Sequence, residues 1–159
     1  GGMMRRAERE VKGIENITEI IDQCKVLCLG MCDGDRPYVV PMNFGYETKG
    51  DTLVLYLHCS KVGKKLDVLR ENPKVCFEMD AGHAVIPGEK GCDYGFRFAS
   101  VIGFGEAEFT KDHEEKRHAL RMLMQHQAGL PDIGLDERMI DATAVLTIRS
   151  DSYTGKRRG

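Results

Sequence analysis

The chain has 159 residues, 42% of them hydrophobic, and its 23 basic and 25 acidic residues leave a net charge of −2. That length supports one well-buried core but not two ordinary domains, so residues 5–159 read as one domain and 1–4 as a disordered start or cloning remnant. Near-neutral charge without a basic stripe excludes a nucleic-acid footprint, and no apolar run reaches the roughly 18 residues of a membrane span, so a cytoplasmic protein is expected.

Ile17, Ile20, Ile21 and Cys24 recur at helical spacing and predict a helix over 14–24, with Asn16 or Thr18 to cap it. A strand follows over 26–31. Asp33-Gly34-Asp35 then turns the chain into a β run at 36–46, where Tyr38, Val40, Met42, Phe44 and Tyr46 alternate with Val39, Pro41, Asn43 and Gly45. After a turn at Lys49-Gly50-Asp51, the run over 52–59 puts Leu53, Leu55 and Leu57 on one apolar face and His58 at its end on the other. Val62, Leu66 and Leu69 mark a short helix stopped before Pro73, and its first turn carries Gly63, Lys64 and Lys65.

A strand at 74–79 leads into residues 81–95, whose four glycines and one proline predict a long loop able to reach a ligand or a partner chain. The longest strand is expected at 96–110, with Phe98, Ser100, Ile102 and Phe104 on one face. Glu108 stands where a dinucleotide loop beginning at Gly103 would need its third glycine, so Gly103 and Gly105 read as a bulge instead. Ala119, Leu120, Leu123 and Met124 form the buried stripe of a helix over 112–128, leaving His113, His118 and His126 to solvent. A strand at 141–149 closes the sheet, and Lys156-Arg157-Arg158 reads as a solvated tail. Six or seven strands joined mostly by short turns, with few helices between them, define an antiparallel α+β protein built on a small closed or partly open barrel. An apolar face left over on such a barrel meets a second subunit.

The six cysteines include no Cys-x-x-Cys pair, and Cys24, Cys28 and Cys32, though evenly spaced, divide between a helix end and a strand. Reduced, buried thiols are expected and no metal site. Cys59 and His58 are adjacent on a strand, point to opposite faces and do not form a nucleophile-base pair.

The segment around the short helix carries the clearest chemical signal. A helix start bears unpaired N–H groups and partial positive charge, so each lysine there is disfavoured by about 0.3–1 kcal/mol unless an anion joins it. A phosphate would take bonds from those groups and the Ser60 hydroxyl and offset Lys64 and Lys65. The same pattern also fits Ser60 as a simple N-cap with both lysines solvated.

Val40-Pro41-Met42-Asn43-Phe44-Gly45-Tyr46, Tyr56-Leu57-His58-Cys59-Ser60, Gly63-Lys64-Lys65-Leu66 and Leu69-Arg70-Glu71-Asn72-Pro73 follow one another in an order that resembles the FMN-binding split β-barrel proteins. Ser100-Val101-Ile102, Gly105 and the Thr154-Gly155-Lys156-Arg157 ending extend the match, which is similar to the nitroimidazole-resistance branch of the pyridoxamine 5'-phosphate oxidase-like family. The resemblance implies a six-stranded antiparallel split barrel that forms a homodimer with FMN at the subunit interface. It further implies that Pro41, Met42, Asn43 and Phe44 lie along the flavin ring, that Ser60, Gly63, Lys64 and Lys65 surround the phosphate, that Ser100 adds a contact, and that His58 is the catalytic residue beside the ring. The arginine and histidine ending that grips pyridoxal phosphate in the oxidases is absent, so the implied activity is an FMN-dependent oxidoreductase of small substrates, with nitro-aromatics as one candidate class. The alternatives are a non-catalytic dimeric module that binds flavin or haem, and an interaction protein that has lost its cofactor.

Overall fold

The computed structural model describes residues 5–132 and 134–159; the expected disordered start at 1–4 lies outside them. After a 3₁₀ turn at Ala7–Arg9, the described elements run β1 (Glu10–Val11), α1 (Ile14–Asp22), β2 (Val26–Asp33), β3 (Arg36–Asn43), β4 (Gly45–Lys49) and β5 (Thr52–Ser60). They continue with α2 (Lys64–Glu71), β6 (Lys74–Ile86), β7 (Gly95–Thr110), α3 (His113–Ala128), α4 (Glu137–Ala142) and β8 (Thr143–Arg158). Every strand pairing is antiparallel, in the order β3-β2-β6-β7-β8-β5-β4, with the short β1 beside β8. The fold is therefore the expected α+β split barrel, although eight strands rather than six make up the sheet.

The two outermost strands in that order, β3 and β4, are consecutive in the chain and separated by Phe44 alone. The sheet must curl until its edges meet at this residue, which is fully buried. The expected single run over 36–46 is thus two strands on opposite edges. Alternation holds on β3, where Tyr38, Val40 and Met42 face the core, and breaks at the seam. The core inside is built from Ile20, Ile21, Leu27, Leu29, Leu53, Leu55, Leu57, Phe77, Val101 and Leu146.

β5 is buried on both faces. Leu53, Leu55 and Leu57 fill the barrel as expected, while Val54 and Tyr56 pack under Ala119 and Leu120 of α3 in a second apolar cluster. That helix approaches so closely that a Cβ on Gly45 would come within 2.6 Å of the Met122 carbonyl carbon and into the backbone of Leu123. Position 45 has to be glycine for α3 to seat.

Four further expectations change. Residues 81–95 are not one long loop: β6 continues to Ile86 across a register shift between Ala81 and Ala84, and pairs with the start of β7. The carboxyl-terminal residues are not a solvated tail, because β8 runs to Arg158 and pairs Lys156, Arg157 and Arg158 with Ser100, Ala99 and Phe98. Met124 is only partly buried, while Lys116 joins the buried stripe of α3. Val62 is 80% exposed and lies outside α2, whose buried residues are Leu66, Val68 and Leu69. The bulge near Gly103 and Gly105 is present as a register shift between Phe104 and Glu106.

The outward face of the sheet carries a row at a single register: Val39 opposite Gly30, Gly30 opposite Cys76, Cys76 opposite Phe104. Val39 is 59% exposed and Phe104 58%, with Ile102 exposed in the next row. An apolar strip of this kind on a barrel wall suits contact with another protein surface.

Candidate functional site

A cleft of about 370 Å³ opens at the seam, lined by Val26, Pro41, Met42, Asn43, His58 and Lys65. It draws on four elements. β2 and β3 supply one wall, the end of β5 brings His58, and the first turn of α2 brings Lys65. Its volume lies at the lower end of the roughly 300–1,000 Å³ typical of small-molecule sites.

The two lysines of α2 separate here. Lys64 reaches away to Asp33 at 3.3 Å, and its ammonium stands 4.6 Å from the centre of the Tyr38 ring. Lys65 lines the cleft and has no ion-pair partner among the described residues. Ahead of them Gly63 adopts φ +144°, a backbone that other residues rarely take, and nothing crowds its open side. Gly63, not Ser60, occupies the N-cap position of α2, and no side chain caps it. Ser60 instead accepts a bond from the Val62 N–H at 3.4 Å, which corrects its reading as the cap.

His58 keeps an exposed edge, yet partial burial first and the Lys65 ammonium second hold its imidazole below the ordinary histidine range. It is therefore neutral at pH 7, able to give or accept a hydrogen bond but a poor source of a proton as imidazolium. Cys59 lies on the other face of β5. Burial raises its thiol pKa while Lys65 opposes the rise, so no thiol-imidazole pair exists.

A support behind the seam had no signal in the sequence. Gln127 of α3 donates to the Phe44 carbonyl at 2.8 Å and to the Lys25 carbonyl at 2.9 Å, and accepts from the Asn43 amide at 3.2 Å. His126 bonds the Cys24 carbonyl at 2.6 Å and packs its ring 4.6 Å from that of Phe44. Desolvation and the Lys25 charge lower its pKa, against the pull of the Cys24 carbonyl and Asp22. These partners lie some eighty to a hundred positions apart in the chain, beyond the reach of local periodicity. His118 pairs with Glu47 at 2.8 Å and His113 with Asp141 at 3.1 Å, so none of the three helix histidines is simply solvated. Burial favours the neutral form of Glu47, but His118 and Tyr56 outweigh it and keep the carboxylate's pKa low.

Among the expected residues, Pro41, Met42, Asn43, His58 and Lys65 line one cleft. Phe44 is buried behind it, Lys64 points elsewhere, and Ser60 and Gly63 sit at the α2 start. Ser100 is not in the lining; it lies on the outward face of β7 opposite Asp80 and Lys156.

Residues 14–157 match the family model described as pyridoxamine 5'-phosphate oxidase, and the chain belongs to that family. Within it, the chain is similar to a candidate 5-nitroimidazole antibiotic resistance protein from Bacteroides thetaiotaomicron, at 36% identity and TM-score 0.80 over 93% of this chain and 86% of that one. The same fold occurs in a flavocytochrome from Azotobacter vinelandii (22% identity, TM-score 0.80, 99% and 72% of the two chains). It recurs in an FAD and haem binding protein from Mycobacterium smegmatis (21%, 0.79, 94% and 73%). No curated protein matches the chain.

Proposed function

We propose that this protein binds a flavin, FMN in the first instance, in the seam cleft, and that it acts as an oxidoreductase on small substrates, nitro-aromatics among them. The observation that carries the proposal is Lys65: an ammonium without an acid partner among the described residues, facing a neutral histidine in a cleft that β3 walls on one side. Those donors suit an anionic tail and a polar ring edge. In this reading Lys65 and the α2 start hold the phosphate, with Ser60 and Gly63 beside it, and Pro41 to Phe44 flank the ring. His58 orients substrate by a hydrogen bond from its neutral imidazole. The bound flavin would supply hydride or electron transfer, with the protein providing position and electrostatics. Residues 5–159 form one domain in this proposal.

The open cleft and the apolar strip of Val39, Ile102 and Phe104 support a homodimer in which Ser100 serves the cofactor from the second copy. A second reading is a non-catalytic module that takes flavin or haem, favoured by relatives described as a flavocytochrome and as an FAD and haem binding protein.

The visible spectrum of purified protein, before and after FMN addition, tests the first step. Flavin bands with released FMN support the proposal, released FAD replaces the nucleotide, and a Soret band favours the haem module. Protein that stays colourless after titration with all three refutes both readings. Reduction of bound flavin by a nicotinamide donor and turnover of a nitro-aromatic would then separate enzyme from module.

A further inference from the structure

A second cleft, of about 440 Å³, shares no lining residue with the first. It lies where the end of β5, α2, the end of β7 and the start of α3 meet β8. Lys61, Arg70, Lys111 and Lys116 converge on it from separate segments, and no acid is in its lining. Lys116 is the telling member. Only 8% of it is exposed, yet it has no ion-pair partner among the described residues. Desolvation and the nearby Lys61 charge push its pKa down, and Asp141 opposes them.

Lys116 buries its stem along α3 and brings its unpaired ammonium to this cleft, where a second lysine close enough to repel it makes the arrangement costly unless something negative offsets both. Two acids nearby are already engaged. Asp141 bonds His113 at 3.1 Å, and Asp67 meets Arg70 at 3.4 Å. That contact leaves the Arg70 guanidinium held 5.2 Å from the centre of the Phe109 ring, at the cleft. Lys61 and Lys111 are exposed and lack ion pairs among the described residues. The hydroxyls of Thr110 and Thr143 bond Thr147 and the Met139 carbonyl, so recognition at this cleft falls to the four cations.

We propose that this cleft is a second anion site that takes a phosphate-bearing small molecule with at least two negative charges, independently of the seam cleft. Charge count sets the class: with Arg70 shared with Asp67, three unpaired lysines remain, which a single carboxylate would leave mostly uncompensated, whereas a pyrophosphate-like group can meet several at once.

Inorganic pyrophosphate, titrated calorimetrically into the full chain at low ionic strength, tests the proposal. Saturable one-to-one binding per chain is expected. It should weaken at least ten-fold in Lys116→Met, which keeps the buried stem and removes the charge, and persist within about two-fold in Lys65→Ala. If Lys116→Met fails to fold, Lys61→Ser with Lys111→Ser, both at exposed positions, carries the same expectation. Absence of saturable binding overturns the proposal. So does binding that survives loss of these lysines, or that disappears in Lys65→Ala alone, since the anion would then sit in the seam cleft. The Lys65 arm keeps this result distinct from failure of the flavin reading.

Discussion

Replacing Lys65 by alanine tests the electrostatics of the seam cleft with and without ligand. Lys65 is partly buried, lines the cleft and lacks an acid partner among the described residues, so a phosphate arriving there gains a charge-assisted contact worth about 1.5–3 kcal/mol. At about 1.4 kcal/mol per decade, its removal should weaken FMN roughly ten-fold to a hundred-fold. Lys64→Ala is the control, because its ammonium already serves Asp33 and Tyr38; its effect should stay within about three-fold. The assay is quenching of flavin fluorescence on titration with each variant. A second readout needs no flavin. Lys65 helps hold His58 below its ordinary pKa, so the histidine C–H resonances of unliganded Lys65→Ala should titrate at higher pH than those of the parent. Equal affinity losses for the two lysines, or an unmoved His58 titration, would refute the geometry argued for the cleft.

Gly45→Ala should destabilise the protein by about 1–3 kcal/mol, since the new methyl meets the α3 backbone and not a side chain that can move; urea unfolding measures this. Gln127→Ala leaves the part-buried Phe44 carbonyl without its donor and should cost about 1–3 kcal/mol in the same assay, with weaker flavin binding because the seam loses its brace. Burial first, and Asp80 second, raise the Glu78 pKa to about 7 in the folded chain. The unfolded chain releases that proton near the ordinary glutamate value while the folded chain retains it. Stability should therefore fall as pH rises from about 4.5 to about 7. Glu78→Gln should flatten that slope, measured as unfolding midpoints across pH, by no more than about 1 kcal/mol after solvent screening. His58→Ala should change FMN affinity less than Lys65→Ala does while lowering turnover, as read by steady-state kinetics beside the flavin titration.

The sequence made the strands and their faces legible wherever one side of an element meets the core and the other meets water. Leu53, Leu55 and Leu57 announce β5 this way, and Leu66 with Leu69 announces α2. Legibility failed where tertiary contact replaces solvent. Val54 and Tyr56 look like an outer face until α3 covers them, and Val62 fits the helical period yet precedes the helix and stays in water. The break at Phe44 leaves no mark in the sequence because a chain passing from one sheet edge to the other keeps extended geometry and apolar alternation across the joint. α4 is a six-residue turn too short for a periodic signal. For the site, residue types and order pointed to Pro41, Met42, Asn43, His58 and Lys65, but only the fold separates Lys65 from Lys64. The bracing by His126 and Gln127 depends on a helix end some eighty to a hundred residues downstream.

β3 is an edge strand, and it carries Pro37 and Pro41, four residues apart and of the same strand parity, opposite Cys32 and Cys28. Proline has no amide hydrogen to give, and edge strands tolerate it where that donor would have pointed away from the ladder. A foreign β-segment arriving along this border would find gaps in the row of donors it needs to zip on. The rim that frames the cleft is thereby poorly suited to templating fibrils, and the unliganded molecule should remain dispersed instead of polymerising through its open side.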